Sequence, residues 1–101
     1  MSYQTTLSAD RRLSLLLVLA QTPGYSANAF LLRDAVADIF GHRMTADQVL
    51  TEIAWLTEQE LLTSRKAGDV TLATLTPRGA DAAAGLASVP GVKKPIPTSP
   101  V

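Results

Sequence analysis

The side chains able to do chemistry in this 101-residue chain are few and scattered: one histidine (His42), no cysteine, and nine carboxylates. A hydrolytic or metal centre needs a nucleophile beside a base, or three to four ligands brought together, and no such constellation is visible. Nor is there a Gly-rich phosphate loop. The expectation is a protein with no catalytic residues, no metal ligands and no cofactors, hence not an enzyme. What remains is local positive charge. His42 and Arg43 precede a predicted helix, Arg65 and Lys66 lie on a predicted hairpin, and Arg78 follows it. Such a set suits phosphate contacts, which position a domain while a few other side chains read bases. The alternative is ordinary solvated surface charge. Nine basic residues balance nine acidic ones, so the chain has no net field to hold a polyanion.

The elements that would position these groups can be read from spacing. The length suits one domain with a modest core, and a composition 47% hydrophobic but only 5% aromatic favours helices built on Leu, Ala, Val and Ile. The apolar run from Leu13 to Ala20 is far short of the roughly 20 residues that span a bilayer, and no convincing signal-peptide cleavage site follows it. A soluble, cytoplasmic protein without membrane contact is expected, in keeping with the lack of cysteine.

Ser8 or Asp10 is expected to cap a first helix ending near Gln21, before Thr22-Pro23-Gly24. Its stripe of Leu13, Leu16, Leu17 and Ala20 is widened by Leu15, Val18 and Leu19, so burial on two sides is predicted, the second against a neighbouring helix or another copy of the chain. A second helix opens at Ser26 or Asn28 and runs through Phe40, with Leu32, Ala35, Val36, Ile39 and Phe40 inward and Gly41 ending it. Thr45 opens the third helix, because Thr45-Ala46-Asp47-Gln48 fits a capping box. On that helix Val49, Ile53 and Leu56 cluster inward, while Asp47, Thr51, Trp55 and Glu58 point away. Two β-rich runs around Ala67-Gly68-Asp69 predict a hairpin, and Thr76-Pro77 predicts the start of a last helix fading near Leu86 to Ser88. The tail from Ser88, with four prolines, is expected to be extended or disordered.

Three helices, a hairpin and a helix are the order of a winged helix-turn-helix, a mainly α fold with a β-hairpin wing, and particular residues add to that order. Arg12 to Ala20 (RLSLLLVLA), Val49 to Leu62 (VLTEIAWLTEQELL) and Leu75 to Gly79 (LTPRG) resemble the ArsR-type and MarR-type regulators. Ala54-Trp55-Leu56 with the Pro90-to-Lys93 tail (PGVK) resembles, more closely still, small ArsR-like proteins of Mu-like phages and prophages. The resemblance spans roughly residues 8 to 87 and implies a winged-helix domain, so the chain is expected to divide into that domain at 1–87 and, from its prolines, a Pro-rich flexible tail at 88–101. It also implies binding to double-stranded DNA as a transcriptional regulator, and a homodimer with Leu15, Val18 and Leu19 at the interface.

By position, the resemblance places base-reading residues at Leu50, Thr51 and Glu52, near Asp47, Gln48 and Trp55. Gln48 and Thr51 are the ready hydrogen-bonders, and His42, Arg43, Arg65 and Lys66 would meet phosphates. Two departures stand out. Thr45 to Leu62 holds four acids and no Lys or Arg, and Glu60 stands where those regulators usually have Gly, which predicts a longer turn. The acidic face therefore sustains a second reading, in which the scaffold binds a host or phage protein through Asp47, Trp55 and Glu58. Trp55 could instead simply cover the wing.

Overall fold

The computed structural model describes residues 2–96, and its first helix starts earlier than expected. Helix α1 spans Tyr3–Gln21 because Ser2, not Ser8 or Asp10, caps it, its hydroxyl accepting from the Thr5 amide at 3.1 Å. Leu13, Leu15, Leu16, Val18 and Leu19 are all buried, and α1 packs against three other helices and the sheet. The two-sided burial is therefore met within one chain. Leu15 and Leu19 have no exposed surface and Val18 only 9%, so these three are core residues and not a face for a second copy.

A single 3-10 turn at Pro23–Tyr25 leads into β1 (Ser26–Asn28), a strand the sequence does not announce. Asn28 then caps α2 (Ala29–Phe40), its side-chain oxygen accepting from the Leu31 amide at 2.8 Å, and Gly41 ends it in the left-handed conformation. Ala29, Leu32 and Val36 face the core. Ile39 and Phe40, expected inward, are 66% and 39% exposed. The last turn of α2 forms one wall of an open groove whose other wall is Leu17, Val18 and Gln21 of α1 with Thr22 just after it.

Helix α3 (Ala46–Glu58) begins on the full capping box: Thr45 Oγ1 accepts from the Gln48 amide at 3.1 Å, and Gln48 Oε1 accepts from the Thr45 amide at 2.9 Å. After it the chain steps into β2 (Leu62–Ala67) through Glu60 at φ 62°. The turn is thus not longer than in a Gly-ended helix; Glu60 takes the left-handed position itself. A non-Gly residue there is strained by roughly 1 kcal/mol or more. Glu60→Gly is therefore expected to raise stability by about 0.5 kcal/mol after the added backbone entropy of the unfolded chain is deducted, read as a higher urea midpoint with an unchanged slope.

Strands β2 and β3 (Val70–Leu75) pair antiparallel across the two-residue loop Gly68-Asp69, and β1 joins the other edge of β3, giving the order β1-β3-β2. Thr76 caps α4 (Pro77–Ala84), its Oγ1 accepting from the Gly79 amide at 3.0 Å while donating to the Glu60 carbonyl at 2.7 Å. One core joins all of these, from Leu15, Leu16 and Leu19 through Leu32, Val36, Val49, Ile53, Leu56, Leu61 and Leu62 to Ala73 and Ala82.

The tail departs from expectation as far as it is described. Val89 is buried and Val92 half-buried against the core, and the Lys93 amide donates to the Ala9 carbonyl at 3.1 Å. Residues 97–101 lie outside the described part. Among the described residues no helix is long and apolar enough to cross a membrane.

Candidate nucleic-acid interface

The site is built on α3, whose start is held by its capping box and whose inner side is held by Val49, Ile53 and Leu56 in the core. Asp47, Gln48, Thr51, Ala54 and Glu58 are exposed. Of these, Asp47, Thr51, Ala54 and Glu58 recur at helical spacing and form one outward stripe. Gln48 lies beside it with its carbonyl oxygen engaged by the cap, so its amide NH2 is the part left to donate. Thr51 offers both a hydroxyl and a methyl group.

Glu52, placed at the reading surface by resemblance, is not there. Its side chain is 9% exposed and accepts from Arg12 Nε at 2.9 Å. The spacing itself carries the signal: Glu52 stands three residues after Val49 and four before Leu56, both buried, which puts it on the inward stripe. Arg12 supplies the counter-charge that makes the position tolerable.

Trp55 is half-buried and already occupied. The Arg12 guanidinium lies 3.8 Å from its ring centroid, and the backbone of Gly91 approaches so closely that a Cβ there would meet ring atoms at 2.7 and 2.8 Å. Arg12 of α1 and Gly91 of the tail both lie against it. Asp47 and Glu58 stay exposed, but the aromatic anchor assigned to the same partner face is capped by the chain itself.

The basic residues separate into two groups. Arg43 is exposed and makes no ion pair among the described residues. His42, by contrast, is turned inward, its side chain 13% exposed and its Nε2 2.8 Å from Asp10 Oδ2. It ties the link before α3 to α1 and is not a free phosphate ligand. On the wing, Arg65 and Lys66 are both exposed, but successive strand residues point to opposite faces. Ser64 lies 3.4 Å from the Thr57 hydroxyl of α3, so Lys66, two residues on, shares the α3 side, while Arg65 lies over Leu72 on the other face. Arg78 donates from Nε to the Gln59 carbonyl at 3.1 Å, joining α4 to the end of α3. Among the described residues no three His, Asp or Glu side chains are grouped to hold a metal.

Four helices around a three-stranded antiparallel sheet, with a capped helix exposed beside a two-stranded hairpin, define a mixed α/β domain of winged-helix-like arrangement. A chain in the complex structure of hsRosR-S1 has a similar fold, with a TM-score of 0.63 at 15% identity over 72% of this chain; the match spans 63% of that chain. The family follows from sequence. This chain is 42% identical over 91 residues to the uncharacterized protein gp26 of Escherichia phage Mu, covering 90% of this chain and 93% of gp26. It belongs to the family of Mu gp26, and the family is phage-linked. An uncharacterized protein of Haemophilus influenzae is 39% identical over 69 residues, which is 68% of this chain and 66% of that protein. No family model matches the chain.

Proposed function

We infer that the chain is a winged helix-turn-helix DNA-binding protein of ArsR-like or MarR-like type, acting in a phage or prophage as a transcriptional regulator. The observation that carries this is the exposed, capped α3 beside a basic hairpin whose Lys66 shares its side. Thr51 and the amide of Gln48 face the major groove in this arrangement, donating to guanine O6 and N7 or to thymine O4. Arg43 and Lys66 take phosphates near α3, and Arg65 takes one from the far face of the wing. Action in the host cytoplasm and the lack of a catalytic role both accord with this function.

Fluorescence anisotropy against random duplex and against DNA from the chain's own locus, at low and near-physiological salt, tests it. Lys66→Ala with Arg65→Ala is expected to weaken binding to both DNAs alike and to flatten the log–log salt slope by about 0.9 for each phosphate no longer neutralised. An unchanged slope in the double variant sinks the wing assignment.

A second reading is favoured by one feature, the lack of any basic side chain on the outward stripe of α3 while Asp47 and Glu58 remain exposed there. On that reading the scaffold binds a basic host or phage protein through these carboxylates. No DNA binding even at low salt, where surface electrostatics act at longest range, selects it.

A further inference from the structure

The segment after α4 is tied back across the domain. Gly85 ends α4 at φ 81°, the Leu86 and Ala87 amides return to the Asp81 carbonyl at 2.8 and 3.3 Å, and the chain then crosses α1. Two residues of α1 hold it. Arg12 donates from Nη1 to the Gly91 carbonyl at 3.0 Å, from Nε to Glu52 at 2.9 Å, and stacks on Trp55. Asp10 takes His42 on one oxygen at 2.8 Å and Lys93 Nζ on the other at 3.5 Å. Each is shared between the crossing segment and the helix beneath it: Arg12 reaches the middle of α3, and Asp10 reaches the link that leads into α3.

We propose that residues 88–94 are a releasable strap whose closure sets the position of α3 and covers Trp55. The proposal rests on α3 being the functional face. The strap opens without unfolding the domain because it adds no strand or helix to the core. Beyond the buried side chain of Val89 and the half-buried one of Val92 it is held by the Arg12 and Ala9 hydrogen bonds and a partly exposed ion pair, interactions from the low end of a protein's local stability range. Closed, it pins α3 at its entrance through His42–Asp10–Lys93 and at its centre through Glu52–Arg12–Gly91. Open, it bares Trp55 and loosens residues 42–48, so the closed form is the one competent to bind.

Gly91 makes the strap testable in the full-length chain. It sits at φ 92° with no room for a Cβ against the Trp55 ring, so Gly91→Ala opens the strap. Trp55 is the sole tryptophan, and its emission reports the opening directly. The expected result is red-shifted emission with the far-UV circular dichroism and cooperative unfolding retained. Faster amide exchange over residues 88–94 and 42–48 is expected too, with a rise of roughly fivefold or more in Kd for duplex DNA, the lower end of ordinary coupling between sites. Asp10→Asn, which leaves Val89 and Gly91 untouched, serves as the second variant and should move the same readouts less. Unshifted emission with unchanged exchange in both variants overturns the strap. Shifted emission with residues 42–48 unaltered overturns the coupling to α3. If the unmodified chain binds no DNA, the regulator function fails, while emission and exchange still decide the strap.

Discussion

Gly79→Ala is expected to cost about 3 kcal/mol, the upper end of what overpacking a well-filled site does, and to lower the melting temperature by about 15 °C for a domain of this size. The direction is not obvious from the helix alone. Gly79 lies in the first turn of α4, where alanine is the better helix former by about 1 kcal/mol. Against that, a Cβ at Gly79 would overlap the Leu61 carbonyl oxygen and stand 2.8 Å from Leu75 Cδ1 and 3.0 Å from the Leu61 carbonyl carbon. Backbone cannot rotate away as a side chain can. The close approach is enforced from both ends of the cap, because the Thr76 amide donates to the Leu61 carbonyl at 3.1 Å while its hydroxyl donates to the Glu60 carbonyl. Relieving the overlap therefore means lifting α4 off the step between α3 and the wing, and with it the buried Ala82 and Ala83. Thermal unfolding by circular dichroism checks this, with Ala80→Gly at the exposed neighbour as the comparison. A Gly79→Ala protein as stable as the unmodified chain would show that the approach is not obligatory.

The same contact explains why LTPRG is legible from residue types alone. Leu75 is core, Thr76 is the cap, Pro77 fits the first turn and Gly79 allows the approach, so each residue type answers a local demand. Local demands of this kind are what a sequence displays most clearly, as the Thr45–Gln48 capping box, the Asn28 cap, the Gly41 ending and the hairpin at Gly68-Asp69 also bear out. Features made by partners distant in the chain are hidden from it. Strand β1 exists because Ser26–Asn28 finds β3 nearly fifty residues later, with Ser26 opposite Thr74, and three residues carry no usable alternation. Asp10, 32 residues before His42, gives no local sign of claiming it. The tail reads as unstructured because its prolines forbid regular hydrogen bonding, yet a turn closed by the Val92 amide on the Val89 carbonyl and tertiary contacts at Val89 and Gly91 give it a place. At the candidate site, the outward stripe of Asp47, Thr51 and Glu58 is legible from periodicity. So is the inward turn of Glu52, which shares a stripe with Val49 and Leu56, and position in a resembling family is the weaker guide where the two disagree.

Arg12→Met is expected to destabilise the domain by about 3 kcal/mol, because it leaves Glu52 with its charge unpaired in a nearly closed site. Arg12 has three simultaneous partners, the Glu52 carboxylate, the Gly91 carbonyl and the Trp55 ring, and Met keeps only part of the stacking, through its thioether. The loss is dominated by the carboxylate. The surface part of the pair counts for less, since Arg12 retains 18% side-chain exposure against 9% for Glu52, and solvent reaching the guanidinium screens the attraction from that side. A double-mutant cycle separates the contributions. Adding Glu52→Gln to Arg12→Met removes the orphaned charge at nearly constant volume, and most of the lost stability should return in urea unfolding. Recovery would mean that Arg12 is required chiefly because Glu52 is there, and that the pair positions α3 more than it stabilises the chain. If the double variant is as unstable as Arg12→Met alone, the Gly91 and Trp55 contacts carry the energy instead, and α1 holds α3 mainly through the strap and the tryptophan.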